Sequence, residues 1–139
     1  FNDSGVVSTN GKVSVPVAKG IINALNKEEP DLIVVELGDG ILGEYGVQEI
    51  LCDKELMAAA GLHLLCAPDP VASWGGAELY KNKFGLPLSI ISGPATDNAV
   101  GKDFIKDTIG IEAINARLEA KALADYIEKE VLASKLICA

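Results

Sequence analysis

A chain of 139 residues that is 49% apolar and 23% charged has the make-up of a globular domain, long enough to bury roughly two thirds of its unfolded surface, and this excludes a disordered tail. Its net charge of −8, with eleven lysines scattered along the chain and the single arginine Arg117, excludes the basic footprint of a nucleic-acid binder. No apolar run approaches the roughly 18 to 20 residues that span a bilayer as a helix, and no low-complexity tract or internal repeat is evident.

The chain opens on FNDSG, with neither an initiator methionine nor a signal segment, which leads us to expect one α/β domain cut from a longer polypeptide. In chain order, PVAKGIINALN (residues 16–26) places Val17, Ile21, Ile22 and Leu25 at helical spacing behind a first-turn proline. LIVVEL (32–37) is a continuous β-branched run that suits a strand covered on both faces. After a glycine-rich turn, VQEILCDKELMAAAG predicts one interrupted helix or two short ones. LHLLCAPDP is a second strand ended by Pro68, followed by a helical VASWGGAELYKNKFG. GLPLSIISGP is a third strand ended by Gly93 and Pro94. TDNAVGKDFIKDTIG then reads as a helix capped by Thr96 or Asp97, and a long amphipathic helix from about Ile111 to Ser134 closes the chain.

The alternation predicts a three-layer α/β fold of Rossmann-like or P-loop-like type, with a mostly parallel sheet and helices on both faces. Ligands in such folds bind outside the carboxyl ends of the strands. Three loops compete for that position: GDGILGEYG, APDPVASWGG and SGPATDN. Cys52, Cys66 and Cys138 show no C-x-x-C spacing, and two lie in apolar runs. That pattern predicts buried thiols in a reducing, cytoplasmic setting.

Gly38, Gly40 and Gly43 match the G-x-G-x-x-G fingerprint of NAD(P)-binding domains, placed between a predicted strand and a predicted helix. Glu36, Asp39 and Glu44 would face the pyrophosphate with negative charge, which opposes that reading. The acid at the end of the next predicted strand, Asp69, which corresponds to the ribose-binding one, lies 31 residues beyond Gly38 rather than about 20. The same residues suit another task. Glu36 and Asp39, at the end of an apolar strand beside glycines, could hold Mg²⁺ next to phosphate groups. They equally suit a solvent-facing strand end and a tight turn.

On VVELGDGILG the chain resembles the P-loop proteins that include dethiobiotin synthetase and the cobyrinic acid amide synthases, in which an apolar strand ends in a Glu-Gly-x-Gly-Gly type turn; Glu36 matches the acid. GLPLSIISGPATDNAVG is similar to that group's last core strand, with Asn98 nearest to the asparagine beside the nucleotide base. FNDSG resembles the end of an earlier strand, with Asp3 as a metal-proximal acid. The resemblance implies ATP and Mg²⁺ as cofactors, Glu36 and Asp39 near the metal, and Gly38, Gly40, Gly43, Gly93, Thr96, Asp97 and Asn98 near the nucleotide. The pattern G-x-x-x-x-G-K-[ST] is absent from residues 1–139, so the phosphate cradle belongs to other sequence or does not exist.

Asp69 between two prolines suits a turn as well as a ligand. His63 reads as a strand-end or core histidine, Cys66 as a buried thiol rather than a nucleophile, and Trp74 as a core aromatic rather than a stacking platform. Three functions stay open: an ATP- and Mg²⁺-dependent nucleotide binder, an NAD(P)-binding oxidoreductase domain, and a non-catalytic interaction or regulatory domain. The expected partners are a nucleotide or other small molecule, the remainder of a longer chain, and a second copy; nucleic acid and membranes are not expected.

Overall fold

Residues 10–137 are described by the computed structural model, with side chains placed through residue 131. The chain divides into two compact units, Phe1–Ala59 and Ala60–Ala139, and apolar burial follows that division in two clusters rather than one.

In the first unit, α1 (Ser14–Asn26), α2 (Val47–Cys52) and α3 (Lys54–Ala59) bury Ala18, Ile50 and Leu56, with Val15, Ile22, Leu37 and Met57 packed around them. The doubt between one helix and two is resolved at Asp53. Its backbone turns extended, and its Oδ1 accepts the Leu56 N–H at 2.9 Å, ending one helix and starting the next. Lys19 of α1 reaches Asp53 Oδ2 at 3.0 Å and Glu55 Oε2 at 2.6 Å.

The predicted strand 32–37 does not form. Residues 32–38 have no regular structure, and Leu32, Val34 and Val35 are 52%, 82% and 53% exposed. A β-branched run is a strand only where other strands satisfy its backbone, and among the described residues none comes to it.

The second unit is an α/β arrangement on a small, wholly parallel sheet of three strands: β1 (Leu64–Cys66), β2 (Ile90–Ser92) and β3 (Glu112–Ala113), in the order β1-β2-β3. Leu64 pairs with Ile90 and Cys66 with Ser92, while Ile90 and Ile91 pair with Glu112 and Ala113. β2 is fully buried, as the middle strand of a parallel sheet must be. Ile91 packs with Ala67, Ala95, Ile105 and Ala113.

β3 and the turn after it occupy sequence expected to be helical. The closing helix, α6 (Ala120–Ile137), begins nine residues later than Ile111. Among the described residues no helix is long and apolar enough to cross a membrane.

The two crossovers share one plan, a likeness the sequence does not advertise. Each starts with an Asx-capped helix, α4 (Pro70–Glu78) or α5 (Ala99–Asp103), continues as a six-residue π-helical segment, Leu79–Phe84 or Phe104–Ile109, and leaves through a left-handed glycine, Gly85 or Gly110. Aligned on those glycines, Tyr80 matches Ile105, and both are buried. A right-handed path for both crossovers puts them on one face of the sheet, in keeping with the packing of α4 against Phe104–Ile109.

Candidate functional site

Three loops leave the carboxyl ends of the parallel strands: Ala67–Asp69 after β1, Gly93–Asn98 after β2 and Ile114–Glu119 after β3. Each is built from short-range hydrogen bonds that its sequence encodes. Asp69 Oδ1 accepts the Ala72 N–H at 2.8 Å, and the Asp69 carbonyl accepts the Ser73 hydroxyl at 2.9 Å. Asp69 is thus the cap of α4 ahead of Pro70, the turn-forming role rather than the ligand-binding one.

In the second loop Gly93 takes φ +87°, and a Cβ there would stand 2.8 Å from the Ala67 carbonyl oxygen. Glycine is required for both reasons. Its approach lets the Ala67 N–H donate to the Ser92 carbonyl at 2.9 Å and the Ala95 N–H donate to the Ala67 carbonyl at 3.0 Å. Thr96 is fully buried, and its hydroxyl donates to the Gly93 carbonyl at 2.7 Å. The helix cap is Asn98 rather than Thr96 or Asp97: its Oδ1 accepts the Gly101 N–H at 3.0 Å. Thr96 and the Asn98 Oδ1 therefore serve the loop itself.

Asp97 is the exposed acid of this loop, and the third loop fixes it. Asn115, 2% exposed, donates from Nδ2 to Asp97 Oδ1 at 2.8 Å, while its own Oδ1 accepts the Arg117 and Leu118 N–H groups at 3.1 and 2.9 Å. The buried Ser92 hydroxyl accepts the Ala116 N–H at 2.9 Å. Glu119 Oε2 accepts the Asn115 N–H at 2.9 Å and pairs with Lys102. The Lys102 ammonium, aided by that N–H, holds the Glu119 carboxyl below the usual range. At the rim, the Arg117 guanidinium stands 4.0 Å from Asp97 Oδ1, with side chains 79% and 44% exposed.

The Asn115–Asp97 and Ala116–Ser92 hydrogen bonds thus join the second and third loops into one edge that presents a carboxylate and a guanidinium to solvent. Ser92, Asn115, Arg117 and Glu119 were not singled out from the sequence. The spacing of Ile114 and Leu118 reads as helix and hides the Asn-x-x-x-Glu turn that is there.

His63, just ahead of β1, meets Tyr80 edge-to-face at 5.6 Å, and Tyr80 meets Phe84 at 6.2 Å. Burial lowers the His63 pKa from its ordinary 6.5 and raises that of Tyr80, so His63 is a neutral packing group. Cys52 and Cys66 are exposed rather than buried: Cys66, the last residue of β1, faces out, while Ala67 after it is buried. Trp74 is 54% exposed rather than core. Asp3 and Cys138 lie outside the described residues.

The other expected site residues fall in the first unit. Glu36 is exposed, and Gly38 and Gly40 have open space where a side chain would be. The Asp39 carboxylate folds over Gly43 and accepts the Tyr45 N–H at 3.4 Å. Among the described residues no group of three or more His, Cys, Asp or Glu is placed to hold a metal ion. Asp39 accepts a hydrogen bond within its own turn, and Glu36 and Asp39 alone do not make up a magnesium site. A dinucleotide fingerprint needs a strand before its first glycine and a helix at its third; among the described residues no strand precedes Gly38, and α2 begins at Val47. Comparison with protein-family models, with curated proteins and with solved structures finds no match to this chain.

Proposed function

We propose that the unit Ala60–Ala139 binds a nucleotide at the carboxyl edge of its sheet, with the Gly93–Asn98 and Ile114–Glu119 loops on the base or ribose side, as part of an ATP- and Mg²⁺-dependent protein. The observation that carries this reading is Asp97. A carboxylate locked by a buried asparagine at the carboxyl edge of parallel strands is a preorganised acceptor for an exocyclic amine or a ribose hydroxyl. Arg117, planar and exposed beside it, suits stacking on the base or pairing with a phosphate. In this reading Gly93 and Thr96 shape the loop, Asp97 contacts the ligand, and the phosphate cradle comes from sequence other than residues 1–139. The finer three-layer, P-loop-like arrangement belongs to the same proposal. The protein's part is positioning and charge complementarity.

Calorimetric titration of the full-length protein with ATP, with and without Mg²⁺, tests this reading. Asp97→Ala removes a charged acceptor and Arg117→Met removes the guanidinium while keeping the apolar stem. Each is expected to weaken ATP by about tenfold, the equivalent of one hydrogen bond to a charged group. No ATP binding under either condition, or unchanged affinity in both variants, would overturn the proposal.

A further inference from the structure

The stretch from Glu28 to Gly46 combines two properties that soluble surfaces seldom join. Leu32, Val34, Val35, Leu42 and Tyr45 are each more than half exposed, and six acids, Glu28, Glu29, Asp31, Glu36, Asp39 and Glu44, accompany them with no lysine or arginine. The backbone of residues 32–37 makes no hydrogen bond to other backbone among the described residues, although the β-branched run Ile33, Val34, Val35 at its centre is a strong strand former. One end is anchored: Leu37 packs on the cluster of Ala18, Ile50 and Leu56. An exposed, unpaired, β-branched segment is a template for edge-to-edge pairing.

We propose that Asp31–Leu37 is a recognition strand that pairs with an extended segment of a partner polypeptide whose apolar, β-branched centre is flanked by lysine or arginine. Charge selects this occupant. Two copies of the segment paired antiparallel about Ile33 and Val34 set Asp31 of each against Glu36 of the other, and in-register parallel pairing sets each acid on itself. Like charges directly opposite each other destabilise a strand pair, and the net charge of −8 opposes self-association further. Basic flanks on a partner strand turn both repulsions into attractions. The backbone ladder supplies affinity, and the flanking charges supply choice of partner and register.

The test uses the full-length protein and two labelled peptides, each five alternating valines and threonines, one with two lysines at each end and the other with two glutamates. Fluorescence anisotropy is expected to show the lysine-flanked peptide binding at least about tenfold tighter than the other, the equivalent of about 1.4 kcal/mol, with affinity falling as salt rises. Hydrogen exchange at the amides of residues 32–37 is expected to slow on binding. Val34→Pro removes a ladder donor and abolishes the complex. The double variant Asp31→Lys, Glu36→Lys, at exposed positions that leave the fold intact, reverses the preference between peptides. Equal binding of both peptides, no added protection of those amides, or protection that rises with protein concentration without peptide overturns the proposal; the last result makes the occupant a second copy.

Discussion

Asn115 is the residue on which the candidate site turns. It is buried, it donates to Asp97, and it accepts two backbone N–H groups, so Asn115→Ala leaves a carboxylate and two turn amides without their partner. A loss of about 2–3 kcal/mol is expected, read as a lower urea midpoint with an unchanged denaturant slope; a loss under about 0.5 kcal/mol would mean that the two loops are not held this way. Some of this site was legible in the sequence. Asp69, Gly93, Thr96, Asp97 and Asn98 stand out because Gly, Pro, Asp and Asn mark turns by known mechanisms. Asn115 was not legible, because Ile114 and Leu118 sit at i, i+4 spacing and periodicity outvotes a single polar residue between them. The exposed cysteines escaped for a similar reason: an apolar run predicts burial of the run as a whole, not of each residue in it, and Cys66 is exposed between partly buried Leu65 and buried Ala67.

At the scale of elements, two of the three strands were read where they lie, one was read where none forms, and one was missed. The failure at LIVVEL and the success at LPLSIIS have one cause. Composition reports which segments suit a sheet, while pairing depends on what else comes alongside. β3 is only Glu112 and Ala113, too short for any alternation to show. The shared helix, π-segment and glycine plan of the crossovers was invisible because it lies in hydrogen-bond pattern rather than in residue identity. It makes one substitution act with opposite signs at two places. Gly110, at φ +77°, ends the second π segment, and Gly110→Ala is expected to cost about 1–2 kcal/mol through left-handed strain. Gly75, in α4 with open space where a Cβ would go, gains about 0.5–1 kcal/mol as alanine. Thermal or urea unfolding of the two variants checks the pair, and shifts in the same direction would contradict the assigned backbone geometry.

At the scale of the molecule, two apolar clusters and scattered titratable contacts set the response to pH. His63 is held below its ordinary 6.5 by burial, so the unfolded chain takes up that proton first. Stability is therefore complete above 6.5 and falls as pH drops from there toward the folded-state value. Asp53, lowered by the Leu56 N–H and Lys19, and Glu119, lowered by Lys102, act in a separate acid window. Their stabilisation is present above the ordinary 3.8 and 4.5 and is lost as pH falls through the depressed values. Urea midpoints across pH should show both descents, with His63→Asn removing only the upper one. A midpoint that rises on acidification between pH 7 and 5 would contradict the placement of His63. An α/β chain with a parallel sheet, and the loops after β1 and β2, could be read from the sequence; the loop after β3, and which loops lock together, could not, since that depends on contacts between residues far apart in the chain. The most direct test of nucleotide binding is an amide spectrum of the full-length protein recorded with and without ATP and Mg²⁺. Shifts concentrated at residues 67–69, 93–98 and 115–119 are the predicted result, and shifts confined to residues outside these loops, or none at saturating ATP, would contradict it.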